Sequence, residues 1–323
     1  MTAVKAFSPE EAHSAKLFLA TQVASMMGRK LEEGDWTKVY CHAKGIPGSG
    51  WSNLYIDINY NGLGLEMKLL RITGLDGKSL RVCCGTTLMH PAATRSIRID
   101  DPNLPAEQVM RDVFSQWAAL IQLRTEAVRK ASPNIEPEMR TGWLLWEDTL
   151  TEFLYFEEPM ACPNPDLLYA QWNRTPPRGA RKGSQSLWVY DKSTNQKRYS
   201  VTTSAGIKIQ PYFDVPAPSD PNLYYFRVQS EPAGEDTINL WVTASTANAL
   251  RDRLGSLSRD VVSNAILQRL PTRSAISDAR IQEVEFAVPI PVSLEAHSLL
   301  LARWTAVSDE HRAQLLLRAL TER

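Results

Sequence analysis

A two-residue turn between two segments of alternating apolar residues constrains this chain more than any other feature. The turn is Asn61-Gly62, at the centre of a hairpin predicted over 53–70. A type I′ turn needs positive φ at both central residues, which asparagine and glycine tolerate. A two-residue loop also sets the register of the strands that it joins. We therefore expect Asp57 to lie directly opposite Glu66 across the hairpin.

The alternation in the second strand predicts that its polar residues share one face. Leu65 and Met67 would point to the core, while Glu66 and Lys68 point the other way, beside Asp57. Directly opposed residues have Cβ atoms roughly 4.5–5.5 Å apart. Two carboxylates would therefore converge next to an ammonium, on a hairpin whose reverse face is apolar.

Facing carboxylates repel each other unless a cation or a proton lies between them. Mg²⁺ suits such a pair, because it binds one or two carboxylates together with waters and phosphate oxygens. Lys68 would then orient an attacking water or help to deprotonate it, while the metal stabilises charge on phosphorus oxygens. The alternative is a structural hairpin in which Lys68 only balances the charges of Asp57 and Glu66.

Composition and motifs exclude several classes of protein. Hydrophobic residues make up 43% and charged residues 22% of the 323 residues, the balance of a globular protein. No apolar run approaches the length that spans a bilayer, and residues 1–30 lack the apolar core of a signal peptide, so we expect a cytoplasmic protein with no membrane partner. The cysteines and histidines show no metal-ligand spacing, and the absence of a GxxxxGK[ST] motif argues against a nucleotide cofactor.

Periodicity predicts an α/β chain of the α+β kind, in two parts. The first part is a core domain over 1–135, with helices at 9–30 and 106–131 and extended segments at 37–43, 53–59, 63–72, 80–86 and 95–99. The second part, 136–323, is rich in strands, at 143–146, 151–156, 186–190, 197–203, 223–229 and 238–243, and ends in helices at 246–254, 259–270 and 309–321. A single integrated domain is the alternative to this division.

Asp57, eight intervening residues and Glu66-Met67-Lys68, set between two helices, resemble the PD-(D/E)XK nuclease superfamily, and within it the type II restriction endonucleases. The resemblance covers about residues 9–131. It implies an αβββαβ core and Mg²⁺-dependent cleavage of DNA that leaves 5′-phosphate and 3′-hydroxyl ends. It also implies that Asp57, Glu66 and the Met67 carbonyl ligate the metal and that Lys68 serves the nucleophilic water. Ile56 departs from the motif, since proline stands at that position in its usual form.

Two segments hold candidate DNA-binding residues. Arginine and lysine side chains suit phosphate oxygens and guanine edges. The candidates are Arg95 and Arg98, after a hydroxyl-rich stretch, and Arg174, Arg178, Arg181 and Lys182, in a loop rich in proline and glycine. The alternative for the first segment is a surface turn that leads into a strand, and the alternative for the second is a solvated loop.

The function expected from these features is that of a site-specific endonuclease of a restriction system, acting on double-stranded DNA. A homodimer is expected as well, because cutting both strands of a symmetric site calls for two active sites related by a two-fold axis. In that scheme region 136–323 supplies recognition contacts and part of the dimer surface. The alternatives are a repair or junction-resolving nuclease, and a non-catalytic DNA-binding protein in which the hairpin is structural.

Overall fold

The computed structural model describes residues 3–26, 31–47, 56–72, 74–75, 80–83, 97–177, 183–203, 207–269 and 287–305. Their helices are α1 (Pro9–Met26), α2 (Glu33–Lys44), α3 (Ala106–Ala131), α4 (Ala244–Leu254), α5 (Arg259–Arg269) and α6 (Leu294–Thr305). Their strands are β1 (Ile58–Tyr60), β2 (Leu63–Arg71), β3 (Arg81–Cys83), β4 (Glu138–Trp146), β5 (Glu152–Pro159), β6 (Leu168–Thr175), β7 (Ser184–Asp191), β8 (Lys197–Thr202), β9 (Ile209–Asp214), β10 (Tyr224–Arg227), β11 (Glu231–Gly234), β12 (Thr237–Thr243) and β13 (Ala287–Ser293). The mixed α/β composition expected from the sequence is confirmed.

The described strands form three sheets. The first sheet has the order β1-β2-β4-β5-β10, the second has the order β3-β9-β8-β7-β6, and the third has the order β11-β12-β13. Within the first sheet β2 and β4 are parallel neighbours, paired from Leu63↔Glu138 to Arg71↔Trp146. Parallel neighbours need a long crossover, and α3 lies within it. Strands from both sides of residue 135 therefore share one sheet, while the division of the chain there stays a prediction.

The first sheet is covered on both faces around β2. On one face Leu65 and Met67 belong to a buried cluster with Trp36 of α2. On the other face α3 approaches so closely that a Cβ on Gly64 would lie 2.8 Å from Cγ2 of Val128. Alternate residues of β2 thus point into two enclosed layers, and the layer on the side of Gly64 lies beneath α3.

Helix α3 contacts the second sheet as well as the first. Its N-terminal half contributes Val113 and Trp117 to a buried cluster that also holds Leu187 of β7 and Val201 of β8. The third sheet has a separate cluster, formed with α4, α5 and α6. Helix α3 packs on both five-stranded sheets. The buried layer between β2 and α3 is therefore connected to the second sheet through this helix.

One predicted element is wrong. Segment 37–43, expected to be extended, lies inside α2. A capping box begins this helix, in which the Glu32 backbone N–H donates to Asp35 Oδ2 at 2.9 Å. Trp36 and Tyr40, spaced by one helical turn, are both fully buried. The β-branched and aromatic residues of the segment favoured a strand, but the cap and the helical spacing of the buried side chains decide the structure.

Three other expectations have mixed outcomes. Helix 106–131 is confirmed with the same bounds. Residues 97–99 are not a strand, and β3 pairs with β9 in the second sheet rather than with β2, so the αβββαβ core stays a prediction. The helix expected at 309–321 lies outside the described residues. Among the helices described, none has the length and apolar character needed to cross a membrane.

Candidate active site

The hairpin forms with the geometry that its turn predicts. Asn61 has φ 47° and Gly62 has φ 78°, so both central residues take the left-handed conformation of a type I′ turn. Ile58 is the partner of Leu65, which is the register that a two-residue loop requires. The strand β1 begins at Ile58, and Asp57 therefore lies immediately before the paired residues.

The Asp57 side chain continues the pairing on the N-terminal side of β1. Its Oδ2 accepts a hydrogen bond from the Met67 backbone N–H, at an N···O distance of 2.6 Å. The N–H and C=O of one strand residue point to the same side, so the Met67 carbonyl also faces the edge of β2 where Asp57 lies. Burial, reinforced by the negative charge of Glu66, raises the pKa of Asp57 to about 7. A carboxyl with this pKa is stabilised as an anion by any additional cation.

Glu66 is held between two cations in the layer beneath α3. Its side chain points to the Gly64 side of β2, and the residue is only 2% exposed. The Lys68 Nζ atom lies 2.8 Å from Glu66 Oε1, and Nη1 of Arg124, in α3, lies 3.0 Å from Glu66 Oε2. Each oxygen of this buried carboxylate therefore has its own charged partner.

Lys68 joins this cluster to the start of α2. Its Nζ lies 3.6 Å from Oε1 of Glu33, whose side chain is 38% exposed. Burial acts to lower the pKa of Lys68, but the negative charges of Glu66 and Glu33 outweigh it and the pKa is raised. Lys68 is thus an ammonium at neutral pH. It can donate hydrogen bonds to a water or a phosphate, and in this state it is not a base.

Among the residues that the structure describes, the cluster has more carboxylates than cations. Asp57, Glu66 and Glu33 face Lys68 and Arg124, three potential negative charges against two positive ones. In addition, Nη2 of Arg124 is buried and has no hydrogen-bond partner in the part of the chain that the structure describes. A buried donor without an acceptor costs free energy. The arrangement is therefore suited to one further cation at Asp57 and to an oxygen ligand near Arg124.

The donor atoms at this edge fit a hard divalent cation. Mg²⁺ takes carboxylate and carbonyl oxygens and keeps several waters. Asp57 has a second oxygen besides the one bonded to Met67, and the Met67 carbonyl faces the same edge. Each carboxylate oxygen of Glu66 has two lone pairs. The bond to Lys68 uses one lone pair of Oε1 and the bond to Arg124 uses one of Oε2, so each oxygen keeps one for a metal. Over the described ranges no group of three or more His, Cys, Asp or Glu residues is placed to hold a metal, so waters and substrate oxygens would complete the shell.

Arg124 is the site residue that the sequence analysis missed. It lies one turn from Val128 and two turns from Trp117, on the buried face of α3. A charged residue inside an otherwise apolar helical stripe is unusual, because a buried charge needs a partner. That interruption of the stripe is the signal that could have found it.

The predicted DNA-binding residues stand apart from this cluster or lie outside the described residues. Arg98 is exposed, and its backbone is held by the side chain of Gln116 in α3. Arg174 is exposed in β6. The residues outside the described ranges are Arg95, Arg178, Arg181 and Lys182. DNA contact by this set stays a prediction.

The contacts of Asp57, Glu66 and Lys68 are the basis for any statement about function. The structure brings these three residues together with Met67, Arg124 and Glu33. The paired residues begin at Ile58↔Leu65, so Asp57 is not a ladder partner of Glu66, and its carboxylate bonds instead to the Met67 N–H. No family model matches the chain, and neither a curated protein nor a solved structure matches it.

Proposed function

We propose that this protein is a Mg²⁺-dependent, site-specific endonuclease of the restriction type, which hydrolyses double-stranded DNA to 5′-phosphate and 3′-hydroxyl ends. The observation that carries the proposal is the Asp57 carboxyl, held by the Met67 N–H beside Glu66 with a pKa of about 7. Two neighbouring carboxyl groups, of which Asp57 has no salt-bridge partner among the described residues, lie next to a fixed ammonium and supply the charges that metal-assisted phosphodiester hydrolysis uses.

Each residue of the cluster has a role in this scheme. Asp57, Glu66 and the Met67 carbonyl would hold the metal, which when bound stabilises charge on the phosphoryl oxygens and lowers the pKa of a bound water. Lys68, kept as an ammonium by Glu66 and Glu33, donates a hydrogen bond to the attacking water or to a phosphate oxygen. Arg124 is a positioning residue, since it holds the Glu66 carboxylate from α3.

The proposal includes a cytoplasmic homodimer with an αβββαβ core, because a restriction-type cut in both strands needs two copies of the active site. The part of the chain after residue 135 would supply recognition contacts and dimer surface, with Arg98 and Arg174 among the groups that contact phosphates. A repair or junction-resolving nuclease would use the same chemistry on a different DNA shape.

One observation favours a second candidate function, a non-catalytic DNA-binding protein. Both oxygens of Glu66 already have cationic partners, and Glu66 and Arg124 are almost fully buried. A network of this kind can serve stability alone. The raised pKa of Asp57 argues for the catalytic function, because a purely structural cluster gains nothing from a carboxyl that forms no salt bridge within the described residues.

The test compares cleavage of several plasmid DNAs, methylated and unmethylated, with Mg²⁺ and with EDTA. The variants are Asp57→Asn and Lys68→Ala, and the matched control is Lys130→Ala, which removes an exposed lysine at the end of α3. Melting temperatures establish that each variant is folded. We expect discrete fragments from the wild type and the control, only with Mg²⁺, and none from the other two variants.

Three results would redirect the proposal. A wild type that shifts DNA on a gel but cuts none of it would support the binding protein. Random degradation or a preference for branched DNA would support the repair nuclease. Cleavage that survives Asp57→Asn and Lys68→Ala unchanged would remove this cluster as the active site.

A further inference from the structure

A cavity of about 140 Å³ lies where the first sheet meets the second, beside the candidate active site. Three sides of it have distinct chemistry: aromatic rings, a carboxyl and a guanidinium. The residues that line the cavity include Trp117, Thr141, Glu158, Arg198, Tyr199 and Phe213.

The register of the first sheet places this cavity next to Glu66. Thr141 of β4 is the partner of Glu66 on one side and of Glu158 on the other. Partners in register point to the same face of a sheet, so the three side chains form a row beneath α3. Neighbouring strands are about 4.8 Å apart, so Glu158 stands roughly 10 Å from Glu66 along this row. The cavity and the candidate active site therefore lie next to each other along this row.

The size and the walls of the cavity suit one planar ring. Trp117 and Tyr199 meet edge to face, with ring centroids 5.9 Å apart, and Phe213 packs against Trp143 at 4.7 Å. These contacts hold the rings of the wall in fixed orientations. A cavity of about 150 Å³ in another protein accepts benzene. The volume is therefore close to that of one six-membered ring.

The polar wall of the cavity is also fixed. Glu158 Oε1 accepts a hydrogen bond from the Trp143 indole N–H at 2.8 Å, and within the described ranges Oε2 makes no hydrogen bond. Burial raises the pKa of Glu158, and the Trp143 hydrogen bond and the charge of Arg198 only partly oppose it. This carboxyl therefore retains its proton more readily than an exposed one. It can accept a hydrogen bond at one oxygen and donate one at the other.

We infer that this cavity takes the ring of a cytosine turned out of the DNA, with Glu158 bonded to the amino edge of the base and Arg198 beside an adjoining phosphate. This inference rests on the proposed function, since it assumes a DNA substrate. A protonated Glu158 would donate from Oε2 to the ring N3 of cytosine and accept from its N4 amino group at the second lone pair of Oε1, and a base outside the helix stacks on aromatic side chains. Thymine presents a carbonyl in place of that amino group, and adenine adds a second ring.

The experiment measures binding in EDTA, where the proposed nuclease cannot cut. The probe is a fluorescein-labelled duplex with one bulged cytosine, and the competitors are unlabelled duplexes with a bulged cytosine, thymine, adenine or abasic site. Free cytidine is a further competitor, which distinguishes a base in DNA from a free nucleoside. Glu158→Gln removes the acid but keeps an acceptor for Trp143, and Glu235→Gln removes an exposed carboxylate as the matched control.

We expect the bulged cytosine to compete about tenfold better than thymine, adenine or the abasic site. Glu158→Gln should abolish that preference at an unchanged melting temperature, and Glu235→Gln should keep it. Competition by cytidine alone would support the cytosine site with a free nucleoside as the ligand. Equal competition by all the duplexes, or no binding of either duplex or cytidine, would overturn the inference.

The two proposals can fail separately. A protein that prefers the bulged cytosine yet cuts no DNA with Mg²⁺ would overturn the nuclease and leave the cytosine site. A protein that cuts DNA at specific sites but binds all bulges equally would overturn the cytosine site alone.

Discussion

Two glutamates are buried in the first sheet, and they differ in what surrounds them. Glu157 of β5 is 0% exposed, and its contacts are complete. Its Oε1 accepts from the Tyr155 hydroxyl at 2.8 Å, and its Oε2 accepts from Arg140 Nη1 at 2.7 Å. The guanidinium of Arg140 also donates hydrogen bonds to Glu138 and to the Lys5 backbone carbonyl.

Glu66 of β2 is equally well paired but lies in an unbalanced group. Asp57 lies beside it with a raised pKa and no salt-bridge partner among the described residues, and Glu33 also approaches Lys68. A buried ion pair with all its hydrogen bonds made is a structural element. A buried group with surplus carboxylates and a raised pKa is suited to a ligand. Burial and pairing alone do not distinguish the Glu157 group from the Glu66 group, whereas the charge balance of the neighbouring residues does.

The largest effect on stability is expected at the Glu157 pair. Arg140→Met keeps the aliphatic length but leaves a fully buried carboxylate without its cation, so the free energy of unfolding should fall by about 3–5 kcal/mol. Arg124→Met should cost less, about 1–3 kcal/mol, because Glu66 retains Lys68. Urea unfolding at neutral pH measures both. Equal losses of unfolding free energy in the two variants would contradict the distinction between the fully paired group around Glu157 and the unbalanced group around Glu66.

The rate of DNA cleavage should depend on the group around Glu66 rather than on the group around Glu157. Lys68→Met removes the ammonium while keeping most of the side-chain volume, so the rate of DNA cleavage with Mg²⁺ should fall by about 10²–10³-fold. Glu157→Gln keeps the acceptor for Tyr155 and should leave the cleavage rate of the folded protein unchanged. Single-turnover cleavage of a plasmid measures both variants. A comparable loss in Glu157→Gln would show that the comparison assigns the roles wrongly.

The free energy of unfolding should depend on pH through the protonation of Asp57. The pKa of Asp57 is raised from 3.8 to about 7, so the folded protein binds this proton more tightly than the unfolded chain does. Between about pH 4 and pH 7 the free energy of unfolding should therefore decrease as pH rises. Asp57→Asn should flatten this part of the profile, and cleavage by the wild type should decline below neutral pH as protons displace the metal.

Urea unfolding of the wild type and of Asp57→Asn, at several pH values with and without Mg²⁺, measures the difference. Mg²⁺ should restore stability to the wild type above pH 7 and leave the variant unchanged, because ligand binding stabilises only a protein that holds the ligand. Identical pH profiles for the two proteins would contradict the raised pKa.

The smallest effect is expected at Glu33. Its side chain is 38% exposed and lies 3.6 Å from Lys68, a weak pair that solvent screens. Glu33→Gln should change the free energy of unfolding by less than about 1 kcal/mol, and the cleavage rate should fall far less than in Lys68→Met. A loss as large as that of Lys68→Met would place Glu33 among the metal ligands.

The sequence by itself determined the local features of this protein. Asn61-Gly62 set the hairpin, since positive φ at two successive residues is a local requirement, and the two-residue loop leaves one register. That register brings Asp57 to the end of the strand pair beside Glu66. Helix α3 was predicted with its observed bounds, because apolar spacing and the stop at Ser132-Pro133 are both local signals.

Only the tertiary structure decided which elements cover the hairpin. Periodicity states that a side chain faces inward but not what it meets there. Arg124 reaches Glu66 across 58 residues of sequence, and Glu158 joins the same row only through the pairing of β4 with both of its neighbours. The helical state of 37–43 depended partly on packing, because a short segment of mixed residues fits either period, although the capping box before it is a local signal. The charge balance around Asp57 comes from these long-range contacts, and no local pattern contains it.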